Sequence, residues 1–338
     1  MHFRTPLLLV VAVQLVRCFE YSQSAPSPLA QEPLYRAADN TERGTCIRCP
    51  QHGFLLECSA LALFETGTAM ATVVVTGSTR GIGRGLAEEF IKLGHNTVIC
   101  SRKLADVENV TRKLDALGDG NCIGTACDTT DKAQVQALWD HAVQAFGTVD
   151  YWINNAGRAT SRHEVHELPE DLTKTIITGN VLGTTFGSQV AIAGFRKQGS
   201  GNLYNVLGGS FDGKFLVPNM GVYSSTKAGI HLLSKYLVKE NKDHNILVGM
   251  ISPGMLITEN WFEEQQELSD AEWQKIKPQL DMMCDYVDTV TPWLAEQILT
   301  NTESGKRIAW MTSGRMLQRF VRTKLLGRKR DLFSRYGL

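Results

Sequence analysis

The sequence predicts an α/β fold, a doubly wound parallel sheet in a single domain with an N-terminal leader. Three observations predict it. Short β-branched runs such as Thr72-Val73-Val74-Val75 carry no polar alternation, as expected of parallel strands buried on both faces. These runs alternate with helix-length amphipathic segments, the pattern of right-handed βαβ units. A glycine-rich turn, Gly77, Gly81 and Gly83, lies between the first such strand and the first helix, which makes the sheet Rossmann-type.

In order, the expected elements are the strand Thr72–Val75, the helix Arg84–Leu93 ending at Gly94, and the strand Thr97–Cys100. A helix from about Ala105 to Leu117 and the strand Cys122–Ala126 follow. Thr130 and Asp131 read as a cap for the helix Gln134–Phe146, which stops at Gly147. The strand Val149–Ile153, helix Gly179–Lys197, strand Asn202–Val206, helix Val222–Glu240 and strand Ile246–Ile251 complete the series.

With 338 residues, 35 basic and 35 acidic, the chain has room for one large core and no charge bias toward nucleic acid. Its eight cysteines are scattered rather than packed as in a disulfide-stapled domain, and Cys100, Cys122 and Cys127 fall in or beside apolar runs, as reduced core residues do. Upstream, residues 1–18 read as a targeting leader: a weakly basic start, then the apolar run Leu7–Val16, too short to span a bilayer. Residues 19–69 read as a poorly ordered linker or transit region, and 70–338 as the domain, for which Met70 is a natural start. Within the linker, Cys46, Cys49, His52 and Cys58 are all of zinc-ligand type, and Cys-Pro-x-His-Gly resembles half of a Rieske motif. The other half is absent, and no metal site is assigned.

The segment Gly77-Ser78-Thr79-Arg80-Gly81-Ile82-Gly83 stands where backbone amides and a helix N-terminus would meet a pyrophosphate. A dinucleotide with a free 2′-hydroxyl calls for an acid after the second strand. Arg102 stands there instead, with Arg80 in the glycine turn, and two guanidiniums near a 2′-phosphate point to NADPH. Tyr223 and Lys227 are four residues apart, so on a helix they share a face. A cation beside the phenol is expected to lower its pKa toward neutrality, suiting a general acid for carbonyl reduction.

The Gly-x-x-x-Gly-x-Gly spacing, Asn154-Asn155-Ala156-Gly157, and Tyr223 with Lys227 together resemble the short-chain dehydrogenases over about residues 72–258. The resemblance implies further roles. Asp128 would contact adenine; Asn154, Ala156 and Gly157 would line the cofactor; Pro253, Gly254 and Thr258 would position the nicotinamide amide. Ser210, thirteen residues before Tyr223, would bond the substrate carbonyl, and Asn180 would hold a water near Lys227. The helix carrying Tyr223 often pairs subunits in that family, which implies a homo-oligomer.

Gly208-Gly209-Ser210-Phe211-Asp212-Gly213, Ser252-Pro253-Gly254-Met255 and Gly305–Thr312 are similar to the chlorophyll b reductase group. That resemblance implies reduction of a 7-formyl group to hydroxymethyl in a plastid. A secretory or endoplasmic-reticulum route is the alternative reading of the leader. The insertion 260–288 would be a substrate lid carrying Trp261, Phe262, Trp273, Met282 and Met283. Residues 313–338 read as a basic amphipathic helix able to lie on an anionic membrane, or equally to dock on the body. Reduction of another apolar aldehyde or ketone (a lipid or retinoid), and a non-catalytic NADPH-binding partner of a pigment complex, are the rival readings.

Overall fold

The computed structural model describes residues 70–159, 163–214, 216–259 and 268–337. The leader, the linker with Cys46, Cys49, His52 and Cys58, and the lid residues Trp261 and Phe262 lie outside the described residues.

Seven parallel strands form one sheet in the order β3-β2-β1-β4-β5-β6-β9. They are β1 (Thr72–Val75), β2 (Asn96–Ser101), β3 (Cys122–Ala126), β4 (Tyr151–Asn154), β5 (Gly201–Val206), β6 (Ile246–Ser252) and β9 (Arg307–Ala309). All four β1 residues are buried, which is why that run shows no alternation. The chain winds outward from β1 in one direction and from β4 in the other, so a crevice opens between their carboxyl ends. One face is filled around Trp139, Trp152 and Phe195, the other around Phe90, Tyr204 and Leu294. Cys100, Cys122, Cys127 and Cys284 are buried and unbridged.

The helices between strands are α1 (Gly81–Lys92), α2 (Leu104–Asp115), α3 (Lys132–Phe146), α4 (Glu170–Ile177), α5 (Gly183–Gln198) and α6 (Gly221–Glu240). Asp131 caps α3 by accepting from the Ala133 amide at 2.9 Å. Two boundaries differ from expectation. Helix α1 starts at Gly81, because its first turn is built from glycines, which propensity alone would exclude. The segment expected as Gly179–Lys197 begins at Glu170 and passes through a π turn, Thr178–Leu182, before α5. Thr175 and Thr178 obscure this helix in sequence. Their hydroxyls bond back to the carbonyls of Asp171 and Lys174, both at 2.7 Å.

After β6 come β7 (Met255–Ile257), α7 (Asp270–Met283), β8 (Cys284–Tyr286) and α8 (Val287–Leu299), with β7 and β8 pairing as a separate two-stranded sheet. Here two expectations are corrected. Trp273 does not face a substrate: it is buried edge-on against Phe333, ring centres 5.0 Å apart. Nor is 313–338 one helix. It comprises α9 (Ser313–Phe320), a π turn Val321–Leu325 and a 3₁₀ turn Phe333–Tyr336.

Several of the tail's cations turn inward. Arg319 and Arg330 both pair with Asp285, whose second oxygen also accepts from Trp310 Nε1 at 2.6 Å. Arg315 stacks on Trp310, and Arg335 pairs with Asp288 at 2.8 Å. Buried Asp285 demanded its two arginines, and composition cannot reveal such a demand, whereas the Arg335–Asp288 pair lies at the surface.

Candidate active site

The crevice between β1 and β4 is lined by the glycine turn. Gly77 and Gly81 have positive φ, and a Cβ on Gly83 would lie 2.4 Å from Asn155 Nδ2 and 2.5 Å from Gly77 O. Helix α1 has no side-chain cap, so its first amides face the crevice. One of them already holds an anion: Glu259 Oε2 accepts from the Gly81 amide at 3.0 Å. Thr258 sits over the same turn, its Cγ2 3.3 Å from where a Gly81 Cβ would be. A turn of bare amides at a helix N-terminus that takes up a carboxylate fits a pyrophosphate.

Two other residues shape the turn. Thr76 Oγ1 accepts from the amides of Asn155 and Ala156, both at 3.0 Å. Asn155 Nδ2 donates to the carbonyls of Thr76 and Gly77 at 2.9 and 3.1 Å. Asn154, expected to line the cofactor, does not shape the turn. Asn154 is buried in a core network, accepting from Trp152 Nε1 and donating to Ser188 and Asn205. The two asparagines alternate across the strand end, so one points to the turn and its neighbour into the core. Ser78 likewise faces inward. Its hydroxyl donates to Val75 O and accepts from the Cys100 amide, pinning β1 to β2.

Arg80 and Arg102 are both exposed near the ends of β1 and β2. Asp128 is half-buried after β3, and its Oδ1 accepts from the Thr130 amide and hydroxyl. Thr79 and Ile82 lie half-buried in the turn, and Pro253 and Gly254, at φ +82°, join β6 to β7.

Tyr223 and Lys227 lie on the first turns of α6, with the ammonium 5.8 Å from the ring centre. Lys227 Nζ donates to Val206 O at 2.9 Å and is only 5% exposed. Asn180, in the π turn, is fully buried. It donates to Thr226 Oγ1 and Arg158 O, and accepts from the Arg158 amide. Gly157 is the junction: a Cβ there would be 2.8 Å from Asn180 Oδ1 and 3.7 Å from Lys227 Nζ. π turns inside helices are frequent at functional sites, and this one carries Asn180 to the lysine.

The electrostatics reverse the expected direction for the phenol. Burial pushes Tyr223 up to about 12 and Lys227 down to about 8. Desolvation is the cause at both groups: taking each out of water disfavours its charged form, the phenolate for Tyr223 and the ammonium for Lys227. A phenol that keeps its proton throughout the neutral range is in the form that donates to a carbonyl oxygen.

Ser210 lies on the loop between β5 and α6. It has φ +61°, and its Oγ is buried with no hydrogen-bond partner among the described residues. The residue also lines a groove along α6. The residue against the tyrosine hydroxyl is Gly208, where a Cβ would lie 2.0 Å from Tyr223 Oη.

Among known proteins, the family model for short chain dehydrogenases matches residues 71–269. The chain is 29% identical over 265 residues to a probable chloroplastic chlorophyll(ide) b reductase of Arabidopsis thaliana, covering 74% of this chain and 52% of that protein. It is 38% identical over 193 residues to a chloroplastic chlorophyll(ide) b reductase of Oryza sativa subsp. japonica, covering 55% and 56%. The chain thus spans about half the length of these curated relatives. Among solved structures, the L-sorbose reductase of Gluconobacter frateurii, complexed with NADPH and L-sorbose, superposes with a TM-score of 0.63 at 21% identity, over 71% of this chain and 94% of that one. With seven parallel strands, the crevice at β1 and β4, and the family match across both, the chain belongs to the short-chain dehydrogenase family and is a nicotinamide-dependent oxidoreductase.

Proposed function

We propose that the protein uses NADPH to reduce the formyl group of a chlorophyll b-type pigment to hydroxymethyl, at a plastid membrane surface. The observation that carries the substrate is the 38% identity to a chlorophyll(ide) b reductase over a stretch of 193 residues. Arg80 and Arg102 support a 2′-phosphate, and the amides of the glycine turn would hold the pyrophosphate. When bound, the cofactor supplies a hydride. Tyr223 donates the proton to the carbonyl oxygen. Lys227 polarises the phenol, and Asn180 fixes the segment Gly157-Arg158 beside the ammonium. Only glycine at 208 leaves the hydroxyl accessible to a bulky carbonyl group.

The outward side of the tail supports the location. Leu317, Leu325 and Leu326 are exposed beside the exposed Arg322, Lys324, Arg328 and Lys329. Apolar and basic groups together suit an anionic lipid surface carrying an apolar pigment. The test is incubation of the full chain with NADPH or NADH and chlorophyll b, with pigment separation and absorption spectra. A hydroxymethyl product formed faster with NADPH is expected. Turnover of a lipid or retinoid aldehyde with none of chlorophyll b would overturn the substrate, and equal use of NADH would overturn the cofactor.

A further inference from the structure

The loop between β5 and α6 also builds a second feature. Phe211 folds over the outer side of α6, anchored on Leu207, Ile230 and Met250. Its ring meets His231 edge-on at 4.8 Å and carries the Arg307 guanidinium 5.1 Å from its centre. Lys214 and Lys235 complete the basic lining of a groove of about 960 Å³, within the usual size range for small-molecule sites. On α6, Ser224, Ala228, His231 and Lys235 form a stripe one residue out of phase with Tyr223 and Lys227. The groove therefore flanks the face of α6 that carries Tyr223 and Lys227.

Its chemistry is lopsided. The one acid lining it, Asp212, lies 3.9 Å from Lys214, and no described carboxylate pairs with Lys235 or Arg307. Burial, then Lys235 and Arg307, lower the pKa of His231 against an opposing pull from Asp212. Ser210 is also part of the lining, with its Oγ buried and unpartnered. Leu216, Val217, Ala228 and Phe211 give the groove apolar walls. Like charges held together around an aromatic anchor form an anion site with an apolar extension.

We propose that this groove binds a carboxylate attached to an apolar body, with Arg307 and Lys235 on the carboxylate and Phe211 and Leu216 against the body. A flat pigment acid and a long-chain acid share that chemistry. The proposal does not depend on which carbonyl compound is reduced.

The test is equilibrium binding by fluorescence to the full chain, with pheophorbide a and cis-parinaric acid, each compared with its methyl ester. At least one acid is expected to bind about tenfold or more tightly than its ester. The favoured pair tells a flat from an extended body. Arg307→Gln and Lys235→Gln should each remove most of that preference and leave ester affinity unchanged, while Lys235→Arg retains it. Circular dichroism and NADPH binding check that the variants fold. Equal binding of acid and ester, no binding of either acid, or acid affinity insensitive to both substitutions overturns the proposal. A groove sealed by a second copy of the chain, seen as a dimer that takes up neither acid, overturns it as well.

Discussion

Lys227 and Asp285 are nearly equally hidden, 5% and 3% exposed, yet their surroundings are opposite. Asp285 is matched by two arginines and an indole N–H, and it ties the tail to β8. Lys227 has one carbonyl and no counter-charge within bonding distance, and it sits beside a phenol that is equally unsupported. A buried charge that is fully paired holds structure together. One left underpaired, with a perturbed pKa in a crevice, marks chemistry.

The largest test of this contrast is Tyr223→Phe. It should cut carbonyl reduction by about 10²- to 10⁴-fold, the usual worth of a positioned acid, while NADPH still binds. Single-turnover kinetics with a cofactor titration would check both halves, and retained turnover would end the assignment. At Asp285 the expected loss is of stability. Asp285→Ala strands Arg319 and Arg330 and should cost about 3 kcal/mol in urea unfolding, with the tail becoming protease-sensitive. If stability is unchanged, the paired side of the comparison fails.

Between these lies the loop of Ser210. Gly208→Ala places a methyl group against the tyrosine hydroxyl and should lower kcat about 10- to 100-fold, in proportion to an overpacking cost of about 1–3 kcal/mol. Ser210→Ala should cost less than that. The reverse order would place the serine at the hydride centre.

Acidity offers a finer test. Lys227 is lowered from 10.5 to about 8, so its charge is present below that pH and lost above it. Reduction should therefore decline above about pH 8, and a pH–rate profile of Lys227→Met should lack that limb. The linkage to stability runs the other way. Between about pH 8 and 10.5 the unfolded chain binds the extra proton, so Lys227 makes the fold more stable as pH rises through that window. The smallest effect is at Glu259. Because its carboxylate occupies the Gly81 amide, Glu259→Gln should tighten NADPH binding by a few-fold, measured by cofactor fluorescence. Weaker binding would mean that the acid supports the turn rather than competing for it.

The site was legible in sequence wherever a residue's role depends on its own element. Tyr223 and Lys227 share a helix face through their spacing, and the glycine turn announces itself between strand and helix. It was illegible where the role depends on which way a neighbour points. Asn154 and Asn155 are indistinguishable as letters, and only strand alternation turns the second toward the cofactor turn. Trp273 looked like a lid residue because its partner, Phe333, is sixty positions away.

The amino-acid sequence by itself determined the parallel sheet, its helices, the crevice and the paired phenol and amine. These follow from local periodicity, turn chemistry and short-range spacing, which a linear pattern carries. The tertiary structure decided that Gly208 meets the phenol, that burial raises rather than lowers its pKa, and that the basic tail divides into an inward clamp on Asp285 and an outward face. Each of those depends on distances between residues far apart in the chain, and on how much water the packing removes around them.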